Sequence, residues 1–321
     1  GTGNDTIDGG EGTDSITITN SSAGTLTPAF TNIESAIVNT STNFTLSLTT
    51  ATDKTSLKTY TITSTDSGVA DDITITDGAS GSTVTISDDS SWDGLAAADD
   101  NGDIGAVKIG TTAGGDITLN IAANEDALTH AATTFSSTEI TKSANVTINS
   151  TNSDSNQVNN SLTSLKVDNA ETQTISLVGN TNAGLVVGNI NTASAAVSSL
   201  TFSTAANTAS TIGTMVTATG LQTLDYSVTG GNTANSSSLG AGAVGTTTAA
   251  QLSSFNASVT GNGSSISVDS IDSASSTALT SVTLAANSAN STINFATSQA
   301  QDVFDFGTAT VGTLNITVAD N

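Results

Sequence analysis

The chain has 321 residues, no Cys, one Pro, one His, and five Lys+Arg against 29 Asp+Glu, for a formal net charge of −24. That charge excludes nucleic acid as a partner, because such binding rests on neutralising phosphates, and it opposes charge-driven adhesion to anionic lipid. Eight Phe, one Met and one Trp cannot fill a wide interior, so the composition favours slender elements with narrow cores of Val, Ile, Leu, Ala and Thr.

The chain opens on a doubled pattern: Gly1-Thr2-Gly3-Asn4-Asp5-Thr6-Ile7, then Gly10-Glu11-Gly12-Thr13-Asp14-Ser15-Ile16. This matches the glycine-rich nonapeptide of calcium-binding parallel β-rolls. Glycines adopt turn conformations closed to other residues. The Asp supplies a hard oxygen, as Ca²⁺ takes six to eight oxygen ligands. The aliphatic residue two places later turns inward. Gly1, Gly3, Asp5, Gly10, Gly12 and Asp14 are therefore the leading candidates for a Ca²⁺ site, with Ile7 and Ile16 as inward residues. The alternative is an ordinary Gly/Asp turn pair between strands. Successive turns of a roll lie on opposite sides, so Asp5 and Asp14 are expected to complete sites with other oxygens rather than with each other. No signal peptide is visible at Gly1 and no initiating Met is present, so the chain reads as a piece of a longer protein.

Between residues 18 and 150, apolar and polar residues alternate with period two at Ile73-Thr-Ile75-Thr76, Val84-Thr-Ile86, Ile117-Thr-Leu119-Asn-Ile121 and Val146-Thr-Ile148. That alternation, bounded by Gly, Asp, Asn and Ser, is a strand signal. Short helical turns are expected at Ser91–Ala98 and Ala123–Leu128, neither with the long apolar stripe of a packed helix. Acidic pairs stand at Asp71-Asp72 and Asp88-Asp89. The run Asp99-Asp100-Asn101-Gly102-Asp103 has part of a calcium-loop spacing without the distal Glu. It reads either as an ion-binding loop through Asp99 and Asp103 or as a solvated acidic turn.

From 151 to 321 a looser repeat appears. Leu162-Thr-Ser-Leu165, Val197-Ser-Ser-Leu200, Leu221-Gln-Thr-Leu224, Leu252-Ser-Ser-Phe255, Leu279-Thr-Ser-Val282 and Val311-Gly-Thr-Leu314 each begin a strand-like run. Starts roughly 24 to 35 residues apart fall in the range of solenoid coils, units too short to bury an apolar face without stacking on neighbours. The expectation is an all-β, elongated parallel β-solenoid or β-roll-like stack with few short helices. Its organisation is 1–17 as the end of a calcium-binding roll, 18–150 as a β-rich segment with acidic loops, and 151–321 as irregular solenoid repeats.

The passage Gly9-Gly-Glu-Gly-Thr-Asp14, followed by Phe30-Thr-Asn-Ile33-Glu34-Ser35 and the strand Ala36-Ile37-Val38, resembles the RTX-type bacterial S-layer proteins and allied large secreted surface proteins. The Thr-, Ser-, Ala- and Gly-rich composition and the "LTSL" starts are similar in style. The resemblance implies type I secretion, calcium-dependent folding outside the cell, and self-assembly into a two-dimensional cell-surface lattice. By it, Asp5 and Asp14 are calcium ligands, and any cell-surface polysaccharide is held by a region outside this chain.

Other function classes find less support. His130 stands alone without a metal-ligand partner, and no G-x-S-x-G, H-E-x-x-H or P-loop pattern is present, so no enzyme is expected in this segment. An adhesin, or an ice- or sugar-binding solenoid presenting Thr ladders, is the alternative, although Trp92, Tyr60 and Tyr226 are scattered as aromatic platforms. A cell-surface filament subunit joined by edge strands is a third reading.

Overall fold

The computed structural model describes residues 6–48, 55–65, 71–88, 103–123, 132–152, 158–168, 174–191, 197–205, 208–217, 220–230, 238–241, 251–268, 271–272, 279–295, 304–305 and 313–318. Among these residues every regular element is a β-strand. The two stretches expected to form short helical turns lie outside the described residues, apart from Ala123 at the edge of one.

Strands alternate along the chain between two parallel sheets. The first sheet runs Ser15–Asn20, Ser35–Thr40, Thr59–Ser64, Ser82–Asp88, then the C-terminal parts of Asp103–Ala122 and Thr134–Thr151. It continues through Thr174–Gly179, Ser199–Thr204, Thr223–Thr229, Ser254–Thr260, Ser281–Ala286 and Thr313–Val318. The second sheet runs Gly24–Leu26, Phe44–Ser47, Asp71–Gly78, then the N-terminal parts of the same two long strands. Val158–Asp168, Ala183–Asn191, Ala209–Thr217, Ser238–Ala241, Ser265–Val268 and Thr292–Phe295 complete it. Short parallel pairs add a third side in places: Thr6–Asp8 with Ala29–Thr31, and Ile271–Asp272 with Phe304–Asp305. This is a β-solenoid. One coil advances to the next by as few as 20 residues, from Asn20 to Thr40, and by as many as 35, from Thr85 to Asn120.

Because side chains alternate across each strand, parallel in-register pairing stacks like on like. One inward row of the first sheet reads Val84, Leu119, Ile148, Leu177, Phe202 and Tyr226. All are essentially buried, and each is stabilised by roughly 1.5–3 kcal/mol relative to exposure. The rings of Phe202 and Tyr226 meet edge to face at 6.5 Å, and those of Tyr226 and Phe255 at 5.7 Å. Tyr60 is buried likewise, donating its hydroxyl to the Leu57 carbonyl at 3.1 Å. Both tyrosines therefore belong to the core and offer no surface platform, and burial pushes both phenols well above the ordinary tyrosine range. Trp92 lies outside the described residues.

The Leu/Val starts at Val197/Leu200, Leu221/Leu224, Leu252/Phe255 and Leu279/Val282 are all buried. Leu200, Leu224, Phe255, Val282 and Leu314 pair in register in the first sheet. Leu162 and Leu165 differ: they lie in Val158–Asp168 of the second sheet. The coil's first-sheet strand is instead Thr174–Gly179, with Ile175 on the common row.

Two polar seams run inside the corners. At one, Asn160 donates to the carbonyls of Ile121 (2.8 Å) and Thr151 (3.2 Å) and to Ser150 Oγ (3.1 Å), and accepts from the Thr133 N–H (2.9 Å). Ser150 donates to the Gly184 carbonyl at 2.7 Å, and Ser210 Oγ accepts from the Leu185 N–H at 3.0 Å. At the other seam, Thr40, Ser64 and Asp88 share one inward row. Ser64 donates to Asp71 Oδ2 at 3.3 Å, and all four residues are at most 4% exposed. Outside, polar side chains form ladders along the axis: Asn149 donates to Asn120 Oδ1 (2.9 Å), Asn120 to Thr85 Oγ1 (3.2 Å), and Asn256 to Asp225 Oδ1.

Candidate calcium-binding loop

The glycine-rich stretch folds where its residue types require. Gly10 and Gly12 take positive φ of 85° and 128°, a region glycine enters without steric cost. The two opening units put their strands on different sides of the coil: Thr6–Asp8 pairs with Ala29–Thr31, whereas Ser15–Asn20 pairs with Ser35–Thr40. Ile16 packs against the core, but Ile7 does not fill an interior. It is 42% exposed, and among the described residues its short strand pairs with the Ala29–Thr31 strand alone.

Asp14 is the described candidate ligand with the most developed surroundings. Its N–H donates to Glu34 Oε2 at 2.7 Å, and its carbonyl accepts from the Glu34 and Ser35 N–H groups, each at 3.1 Å. Its side chain lies over Gly9, where a Cβ would collide with both Asp14 and the Asn32 carbonyl oxygen. Asp14 Oδ2 is shielded from solvent and accepts no hydrogen bond. Beside it, Asp8 accepts from Asn32 Nδ2 (2.9 Å) and from the Gly10 N–H (3.0 Å). The amide of Asn32 and then the Gly10 N–H hold the Asp8 carboxyl below the usual carboxylate range.

Asp8, Asn32 and Glu34 are thus parts of this loop that repeat spacing does not single out as a group. Their contacts with the glycine-rich turn span 24 residues for Asp8 and Asn32 and 20 for Asp14 and Glu34. The Phe30-x-x-Ile33-Glu34 passage has a plain physical role here. Phe30 and Ile33 are buried and fix the second coil, which sets Glu34 under the Asp14 N–H.

The other candidate residues are placed less closely. Gly1, Gly3, Asp5 and Asp99 lie outside the described residues, as does His130. Asp103 begins the strand Asp103–Ala122 opposite Thr134. Asp71 and Asp88, which belong to separate acidic pairs in the sequence, are brought to one buried corner. Their neighbour Asp72 is exposed and accepts the Ala106 N–H at 2.7 Å. Among the described residues no group of three or more His, Cys, Asp or Glu is assembled that could hold a metal ion. A calcium ion at Asp14 would therefore draw on backbone carbonyls as well as carboxylates. The shielded Asp14 oxygen fits such a ligand set, since Ca²⁺ accepts carbonyl oxygens readily.

No protein-family model, no curated protein and no solved structure matches the chain. The class defined by the structure is a parallel β-solenoid with a glycine-rich acidic loop at one end. Among the described residues no helix is long and apolar enough to cross a membrane.

Proposed function

We propose that this chain is a segment of a calcium-stabilised, self-assembling extracellular coat of the S-layer kind, secreted to the cell surface and without enzymatic activity of its own. The observation that carries the reading is the Asp14 loop. A carboxylate oxygen is shielded and accepts no hydrogen bond at a turn whose glycines hold left-handed conformations. A bound divalent cation removes the cost of leaving that oxygen unsatisfied.

The rest of the molecule supports a structural role. Its outward faces carry Thr, Ser and Asn ladders, which meet a neighbouring copy through hydrogen bonds and water. Copies carrying −24 each repel when packed side by side, over a Debye length of about 8 Å at physiological salt. Divalent cations cancel that charge and stiffen the loops that hold them.

Calorimetric titration of Ca²⁺ into the folded chain tests the site. Asp14→Ala is expected to remove the tightest binding event, and Asp103→Ala to leave it in place, with circular dichroism showing the strand content retained in both. Identical isotherms for wild type and Asp14→Ala would remove the assignment.

A further inference from the structure

The corner that carries Asp14 is stacked on a corner of different make. Residues 9–14 join the strand Thr6–Asp8 to the strand Ser15–Asn20. One coil on, residues 32–34 join Ala29–Thr31 to Ser35–Thr40, and both pairs of strands are parallel and in register. The glycine-rich corner is thus twice as long as the one it faces, six residues against three. Asp8 and Asp14 close it onto that neighbour through Asn32 and Glu34.

Two observations bring ligand oxygens together between these corners. The first concerns charge. The Asp14 N–H donates to Glu34 Oε2 at 2.7 Å, which sets a second carboxylate beside Asp14. Among the described residues neither carboxylate is in an ion pair. Lys58, one coil further, gives its backbone N–H to the Glu34 carbonyl at 3.1 Å. Neighbouring carboxylates repel unless a cation serves both, and Asp14 Oδ2 is shielded while accepting no hydrogen bond.

The second concerns shape. Asn32 takes a left-handed φ of 53°, and its side chain is spent on Asp8, to which Nδ2 donates at 2.9 Å. Its carbonyl oxygen lies against Gly9, where a Cβ would collide with it and stand 2.9 Å from Asp14 Cγ. The missing side chain at Gly9 therefore lets a hard carbonyl oxygen and the Asp14 carboxyl share one spot.

We infer that Glu34 and the Asn32 carbonyl supply the second half of the calcium site, so that one ion clasps the first coil to the second. This rests on the reading of Asp14 as a calcium ligand. Two carboxylates, one carbonyl and water make up the six to eight oxygens that Ca²⁺ takes. The partner of the glycine-rich turn is then a short turn without glycine, not a further glycine-rich unit.

Calorimetric titration of Ca²⁺ into the intact chain, with amide exchange followed in calcium and in chelator, tests the assignment. Glu34→Gln keeps an acceptor for the Asp14 N–H but removes the charge. It should weaken calcium binding about tenfold or more, because ligand charge sets affinity, with exchange in chelator unchanged. A purely structural clasp would survive that change with wild-type affinity. Asn32→Gly keeps access to the left-handed region and should bind within a few-fold of wild type, whereas Asn32→Val is strained there and should lose binding by shifting the carbonyl. Calcium should slow exchange in both Ser15–Asn20 and Ser35–Thr40 and leave Ser254–Thr260 unaffected, since coils depend chiefly on their neighbours. Wild-type affinity in Glu34→Gln, with binding lost in Asp14→Ala, would overturn this inference and leave the Asp14 reading standing. Equal affinity in Asn32→Val and wild type would overturn the part given to the carbonyl, and protection confined to the first coil would overturn the clasp. No calcium binding by wild type, or full binding by Asp14→Ala, would overturn both readings.

Discussion

Replacing Asn160 by alanine removes the amide that ties three coils together at the inner corner. The cost follows from which partners are left without a substitute. The Ile121 carbonyl also accepts from Thr151 Oγ1, the Thr151 carbonyl also accepts from the Ala123 N–H, and Ser150 keeps its bond to Gly184. The Thr133 N–H, which donates to Asn160 Oδ1 at 2.9 Å in a buried site, is the group exposed to the full penalty. An orphaned buried donor costs about 1–3 kcal/mol, and each of the better-made bonds lost adds roughly 0.5–1.5 kcal/mol. The expected destabilisation is thus about 2–4 kcal/mol, read as a lowered urea midpoint. Solenoid coils depend chiefly on their neighbours, so amide exchange should rise first in Thr134–Thr151 and Val158–Asp168. Asn160→Asp supplies the control. It keeps the acceptor for Thr133 but turns a second oxygen toward three oxygens, so the folded state favours the protonated carboxyl and raises its pKa. The folded form then binds the proton more tightly than the unfolded chain, and stability falls as pH rises above about 3.9. Asn160→Asp should therefore approach wild type near pH 4 and be strongly destabilised at pH 7. A cost below about 0.5 kcal/mol for Asn160→Ala, together with a pH-independent Asn160→Asp, would refute the reasoning.

Thr138 is 1% exposed, its hydroxyl has no partner, and it stacks between Val107 and Leu165. Thr138→Val should raise stability by about 1 kcal/mol in denaturant titration, and a loss would show that the hydroxyl is satisfied. A Cβ at Gly261 would enter the contact distance of the Gly230 carbonyl oxygen. Gly261→Ala should destabilise by more than about 1 kcal/mol, with exchange rising locally around Ser254–Thr260. Glu139 is held below its usual 4.5 first by Lys108 and then by Lys166. Its contribution is therefore full above that value and is lost as pH falls through the lower folded pKa. Glu139→Gln should cost up to about 1 kcal/mol at pH 7, and its midpoint should converge on wild type in acid.

Strands with strict alternation were open to reading from sequence. Ile73, Ile75, Val84, Ile86, Leu119, Ile148 and their like all point inward, because period-two patterning and parallel stacking impose the same face on each coil. The corners were not. Asp103–Ala122 and Thr134–Thr151 each continue from one sheet into the other, the first with register shifts between Gly110 and Ile117. The Ile117–Ile121 alternation marks only the second half of its strand. Inward polar residues are harder to read: Asp71, Asp88, Ser150, Asn160 and Ser210 each stand two places from an aliphatic residue of the inward phase, whereas their polarity alone assigns them to solvent. Ser150, Asn160 and Ser210 are satisfied by a partner in another coil, as when Ser150 meets Gly184 across 34 residues, and Asp71 by Ser64 across a corner of its own coil. At the candidate site, the turn conformations of Gly10 and Gly12 followed from residue type. The clasp of Glu34 on Asp14 depended on coil length, which spacing within the repeat does not encode.

The central claim is that calcium organises this chain into an assembly by coordination rather than by screening. Negative-stain imaging of the intact chain in calcium, in chelator, and in chelator with high sodium chloride tests it directly. Sodium chloride shortens the Debye length to about 3 Å at 1 M but supplies no divalent ion to the Asp14 loop. Ordered sheets in calcium alone are the predicted result. Equal sheets in chelator with high sodium chloride would contradict the account.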